Sequence, residues 1–129
     1  MHESPPGALP QPSSPAIDQQ LTAYNSGDLD AFCDCYADDV IVQNEETITA
    51  TGKAAFRALY EALFRDWNLR ASIMQRVVEG SYTTDLEGWE RTKRDGSGTR
   101  MSGSVIVIYQ VDGAGKIKNV KFHQKQTDA

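Results

Sequence analysis

The stretch YNSGDLDAFCDCYADDVIVQN, Tyr24–Asn44, decides how this chain folds. It reads as helix end, tight turn, short helix, aspartate-rich turn and strand. Asn25-Ser26-Gly27 closes one helix, and Gly27 suits a left-handed cap. Asp28 is placed to cap the next helix, which carries Leu29, Phe32, Cys33 and Tyr36 inward and stops at Ala37-Asp38-Asp39. Val40-Ile41-Val42 is short and β-branched, a strand that ends at Asn44. On this reading Tyr24 and Tyr36 sit on helices that cover a sheet.

Toward the N-terminus, Ile17, Leu21 and Tyr24 recur at helical spacing, with Gln20 on the edge of that stripe. Pro15 suits the first turn of this helix. Residues 1–15 hold all five prolines with serines and glutamine. Such a segment buries too little apolar surface to offset its ordering entropy, so a disordered arm is expected. Toward the C-terminus, Thr47–Thr51 is a second short strand, and Gly52 opens the longest helix, near Lys53 to Trp67. Phe56, Leu59, Tyr60, Leu63, Phe64 and Trp67 form its apolar stripe, with Lys53, Arg57, Glu61 and Arg65 on the wet side.

After Asn68 the period becomes two, and Leu69, Ala71, Ile73, Gln75 and Val77 share one strand face. A long strand from Tyr82 to Arg94 follows, then a hairpin at Asp95–Gly98 and a returning strand from Thr99 to Asp112. The run Val105–Tyr109 is apolar on both faces, so both need a cover. The helices supply one cover, and a second copy of the chain is expected to supply the other. Asp112–Gly115 turns into a final strand from Lys116 to Gln124. The expected class is α+β: three helices closing one side of a bent, mostly antiparallel sheet, in the order α-α-β-β-α-β-β-β-β. This makes a cone whose mouth is the expected pocket. The domain spans residues 16–125, with a tail at 126–129.

Charge and composition exclude several classes. The 129 residues carry a net charge of −5, which argues against a nucleic-acid partner. The one basic cluster, Arg91–Arg94, precedes a turn and reads as a solvated hairpin tip. No apolar run approaches a membrane span, so no membrane partner is expected. Cys33 and Cys35, two apart in a helix, point to different faces, so a mutual disulfide is not expected. One should be buried and the other partly exposed. Reduced thiols without a secretory signal point to the cytoplasm. No metal spacing, phosphate loop or nucleophile motif is present, and no cofactor is expected.

The order of elements, N-S-G-D-L-D-A-F, Y-A-D-D-V, T-G-K-A-A-F and V-D-G-A-G-K-I together resemble the nuclear transport factor 2-like superfamily, over about residues 16–125. This group includes SnoaL-type cyclases, ketosteroid isomerases and limonene epoxide hydrolase. The text is most similar to the isomerases, which use an Asp base with a Tyr and a protonated Asp as oxyanion donors. Carried over by those motifs, the base falls at Asn44, the tyrosine at Gln20 and the acidic donor at Val107. All three depart from the pattern. An amide has no usable basicity near neutral pH, and valine donates nothing. Tyr36 and Tyr60 fall where the isomerases place pocket aromatics. The resemblance thus implies a retained pocket with altered chemistry. Its expected residues are Gln20, Tyr24, Tyr36, Asn44, Tyr60 and Val107, with no catalytic residue assigned.

Other candidates follow from strand alternation. Glu87 and Glu90 lie on opposite faces of one strand, Glu87 with Trp89 and Glu90 with Tyr82, so at most one points inward. His123 shares a face with Lys121 and Asn119, away from Phe122 and Val120, which favours an exposed or interface position. Asp38 and Asp39 read as helix-exit caps. The expected activity is binding of an apolar, ring-containing ligand without steroid isomerase chemistry. The alternative is an isomerase, cyclase or hydratase whose acid or base is unassigned, with His123 and Glu90 as candidates.

Overall fold

A computed structural model describes residues 11–124. The helices are α1 (Pro15–Ser26), α2 (Leu29–Asp34) and α3 (Lys53–Asp66). The strands are β1 (Tyr36–Asn44), β2 (Thr47–Thr51), β3 (Trp67–Glu79), β4 (Tyr82–Lys93), β5 (Arg100–Val111) and β6 (Ile117–His123). They form one curved open sheet in the order β2-β1-β6-β5-β4-β3. Only the β1–β6 pair is parallel. This is the expected element order and the expected α+β cone.

The local signals act as their chemistry dictates. Pro15 opens α1, and Gly27 closes it at φ 73°. The Asp28 carboxylate accepts the Ala31 N–H at 3.0 Å and starts α2. Gly52 precedes α3 at φ 88°, a conformation that disfavours any residue with a Cβ. Asn25 grips the sheet edge: its side chain both donates to the Ala71 carbonyl and accepts the Ala71 N–H. The backbone groups of an edge strand are thereby paired by a helix side chain.

The helices cover the sheet through a cluster of rings. Phe32 lies at its centre, with centroids 5.0–5.9 Å from Tyr24, Tyr36, Phe56, Tyr60 and Phe64. Such tilted and edge contacts add to area burial. Val40, Val42, Val107 and Ile117 complete the core from the sheet side.

Several expectations require correction. Tyr36 is not on a helix. Cys35 ends α2, and the Ile117 N–H donates to its carbonyl, so pairing with β6 draws Tyr36 into β1. Asp38 and Asp39 are therefore exposed strand residues, and Asp38 lies 3.6 Å from Lys53. Leu59 is exposed despite its place on the apolar stripe. Cys33 and Cys35 are both buried and free, so neither thiol is the partly exposed one expected. On β3 the alternation breaks. Ile73 faces Glu87 and Gln75 faces Leu86, so Met74 is an inserted bulge residue. Beyond it the inward phase passes to Arg76, and Val77 is exposed.

Arg76 is the consequence of that bulge. Its guanidinium pairs with both oxygens of Asp85, at 2.7 and 2.9 Å. It also donates to Asp18 on α1 at 2.6 Å and to the Pro12 carbonyl. Both Arg76 and Asp85 are buried. Gln11 spans the bulge, accepting the Arg76 N–H and donating to the Met74 carbonyl. Ser14 is buried and its hydroxyl lies 2.7 Å from that of Thr83. Residues 11–14, expected to belong to the arm, thus lie hydrogen-bonded along β3 and β4. The rest of the expected arm and residues 125–129 lie outside the described residues.

A buried charge stripped of its partner is costly, whereas replacing the whole pair with apolar groups is often neutral. Arg76→Met should therefore lose about 3–5 kcal/mol in urea denaturation. The double variant Arg76→Met, Asp85→Leu should recover most of that loss. Equal losses in the single and double variants would contradict this account of the pair.

Candidate functional site

Alternation on β4 sets Asp85, Glu87, Trp89 and Arg91 on the face toward the helices, opposite Val107, Val105, Gly103 and Met101 of β5. Between this face and the helices lies a cavity of about 660 Å³. That is ample for a drug-sized molecule. Its floor is buried and includes Gln20, Tyr36, Val105 and Tyr109, and its rim is exposed and includes Met101, Ser102 and Gln124.

Of the expected pocket residues, Gln20, Tyr24, Tyr36 and Tyr60 line this cavity. Asn44 and Val107 are not among the lining residues. Asn44 is exposed at the end of β1, beside Phe122 of the cavity wall. Val107 is completely buried, packed between Asp85 and Phe122 on the neighbouring strands. His123 points away from the cavity and lies 3.2 Å from Glu45. Glu90 also points outward and pairs with Arg100.

Alternation identified Glu87 and Trp89 as partners on one face, and strand pairing makes theirs the inner one. Glu87 carries no hydrogen bond or ion pair to another described residue. Burial pushes its carboxyl from an ordinary 4.5 up to about 7, with a smaller contribution from Asp85 two residues away. Tyr24 is pushed up to about 12 by burial first and by Glu87 second. Burial also raises Tyr36, Tyr60 and Tyr109 well above the usual phenol range, which keeps them protonated as donors.

Two of these phenols are linked through Gln20. The Tyr36 hydroxyl donates to Gln20 Oε1 at 3.0 Å, and Gln20 Nε2 donates to the Tyr109 hydroxyl at 3.3 Å. The chain of donors leaves the Tyr109 proton free to point into the cavity, and each link polarises the next. Gln20 therefore orients two tyrosines as well as facing the pocket.

Arg91 corrects the expectation of a solvated basic tip. Its guanidinium stacks 4.7 Å from the Trp67 ring and 5.4 Å from the Trp89 ring. Trp89 in turn lies over Gly103, where a Cβ would come within 2.9 Å of its ring. Only glycine leaves room for this ring against β5. The signal available in sequence was alternation itself: Arg91 is two residues from Trp89 and four from Glu87. Among the described residues no three His, Cys, Asp or Glu side chains converge as a metal site. No described helix is long and apolar enough to cross a membrane.

Comparison with curated proteins returned no match. Among solved structures, a Δ5-3-ketosteroid isomerase from a Mycobacterium species is similar, with TM-score 0.76 and 22% identity over 85% of this chain and 90% of that one. An LEH-like epoxide hydrolase from M. tuberculosis also has TM-score 0.76, at 16% identity over 87% of this chain and 81% of that one. An uncharacterized cystatin-fold protein from Novosphingobium aromaticivorans has TM-score 0.73 and 26% identity over 83% of this chain and 93% of that one. The SnoaL-like domain model matches residues 17–120, from the first turn of α1 into β6. The chain belongs to the SnoaL-like family, within the nuclear transport factor 2-like superfamily.

Proposed function

We propose that this cavity takes an apolar, ring-containing small molecule and that Glu87 moves a proton on it, as an isomerase, cyclase or hydratase does. The observation that carries the reading is the Glu87 carboxyl: inside the cavity, without a partner, and pushed up to about 7. A carboxyl poised near neutral pH serves as either base or acid. The ring walls Tyr24, Tyr60 and Trp89 supply the apolar contact.

Ionised Glu87 takes a proton from carbon beside a carbonyl. The Tyr109 hydroxyl donates to the carbonyl oxygen as negative charge builds there, held in place by Gln20 and Tyr36. Protonated Glu87 then returns the proton to another atom of the same molecule. The Asp–Tyr–Asp chemistry of steroid isomerases does not apply, because Asn44 is no base and Val107 is no donor. A plain binding role shares the same cavity and differs only in leaving Glu87 idle.

The outer sheet face supports a second copy of this chain as partner. Ile106 and Val77 are exposed there beside half-buried Leu86 and Ile108. The free thiols fit a reducing compartment, and we place the protein in the cytoplasm.

Three measurements check this reading. The native state keeps the Glu87 proton between about pH 4.5 and 7, where the unfolded chain has released it. Stability therefore falls as pH rises through that window, then levels off. Glu87→Gln should be more stable than the parent at pH 8, by at most about 3 kcal/mol, and equal to it at pH 4. A pH-independent difference would refute the raised carboxyl. For chemistry, α-proton exchange of 2-tetralone in D2O, followed by NMR, should speed up as pH passes through about 7. Glu87→Gln should slow it by roughly a hundredfold. An unchanged rate leaves plain binding as the function. Finally, the protein should sediment as a dimer at micromolar concentration, and Ile106→Lys should shift it to monomer. A monomeric parent would remove the partner.

A further inference from the structure

We infer that the ligand carries a carboxylate and that the Arg91 guanidinium receives it at the rim of the cavity. This rests on the cavity being the ligand site proposed above and adds the class of ligand it selects.

Arg91 is the single cationic side chain among the residues lining the cavity, as Glu87 is the single anionic one. No carboxylate among the described residues pairs with it. Its Nη2 reaches only the Met101 sulfur, at 3.5 Å, and its Nε is buried with no hydrogen-bond partner. A buried, unsatisfied donor on a permanent cation is rare in native proteins. Arg76 on β3 shows the contrast, since its guanidinium is engaged by Asp85, Asp18 and Pro12.

The group is also held in place. Contact with the Trp67 and Trp89 rings holds the guanidinium, and Arg94 binds the Trp67 carbonyl behind it. A fixed guanidinium edge matches the two oxygens of a carboxylate, and little side-chain entropy remains to be lost on binding.

Position gives the ligand its polarity. Glu87 faces Val105 on the buried floor, while Arg91 faces Met101 on the exposed rim. They stand four residues apart on one strand, about 13 Å between Cα atoms. Trp89 forms the wall between them. A ring system lying on Trp89 would reach Glu87 with its inner end and leave its carboxylate at Arg91, partly hydrated. At that separation the anion stays clear of Glu87, so one molecule can use both groups.

The test uses 2-naphthoate and its neutral isostere 2-naphthamide, titrated against the full-length protein at about pH 6. There the acid is ionised and Glu87 is largely protonated. Binding is followed by isothermal titration calorimetry. The parent should prefer the acid by about tenfold or more. Arg91→Gln should bind the two equally, with its affinity for the amide kept. Arg91→Lys, which retains charge and loses the fork, should fall between them. Circular dichroism and melting of both variants establish that they fold, and the acid–amide preference of the parent stands as a test on its own. Equal binding of both probes by the parent overturns the Arg91 assignment and leaves the cavity reading intact. So does an acid preference that survives in Arg91→Gln. If the parent binds neither probe, the ligand cavity fails, and the carboxylate inference falls with it.

Discussion

The ion pair between Arg76 and Asp85 is the constraint on which the rest of this structure depends. It joins β3 to β4, reaches Asp18 on α1 and holds the backbone at Pro12. Four separate parts of the chain thus meet at one guanidinium. Two fully buried ions would be costly alone, and the geometry must be good to compensate. Here both carboxylate oxygens of Asp85 are bonded. The β3 bulge makes this possible, because it turns Arg76 inward where plain alternation would have turned it out.

The same pair shapes the chemistry of the cavity. Asp85 and Glu87 are next-but-one neighbours on one face of β4, and their environments diverge. Asp85 has a cation bonded in the plane of its carboxylate. Glu87 lies between Ile73 and Val105 with no cation bonded to it, and burial first, with the charge of Asp85 second, pushes its carboxyl up to about 7. The tyrosines around Glu87 remain protonated for the same reason, low local polarity. A single desolvated space therefore produces both a proton acceptor near neutrality and the donors that face it.

Arg91 and Trp89 extend that logic to the rim. Gly103 leaves room for the Trp89 ring to approach β5 closely, and the ring supports the guanidinium. The cavity has a carboxyl at its floor and a cation at its rim, with Trp89 between them. Such a shape selects orientation as well as size.

Much of this was legible in the sequence. Capping at Gly27 and Asp28, the α3 stripe, the hairpins and the order of elements rest on local chemistry that each segment carries with it. Alternation also paired Glu87 with Trp89 and turned His123 away from Phe122. What alternation cannot supply is the absolute face, since a strand's two faces are defined only by what packs on each. Tertiary structure decided that Glu87 points inward and Glu90 outward. It drew Tyr36 from a helix into β1 by pairing it with Ile117. It inserted the bulge that brings Arg76 in, and it set Arg91 between two indoles instead of in solvent. Most element identities are local properties that sequence alone determined, and Tyr36 is an exception because its place was set by pairing with a distant strand. The site is made of contacts between β4, α1 and β5, and only the folded chain could bring those residues together.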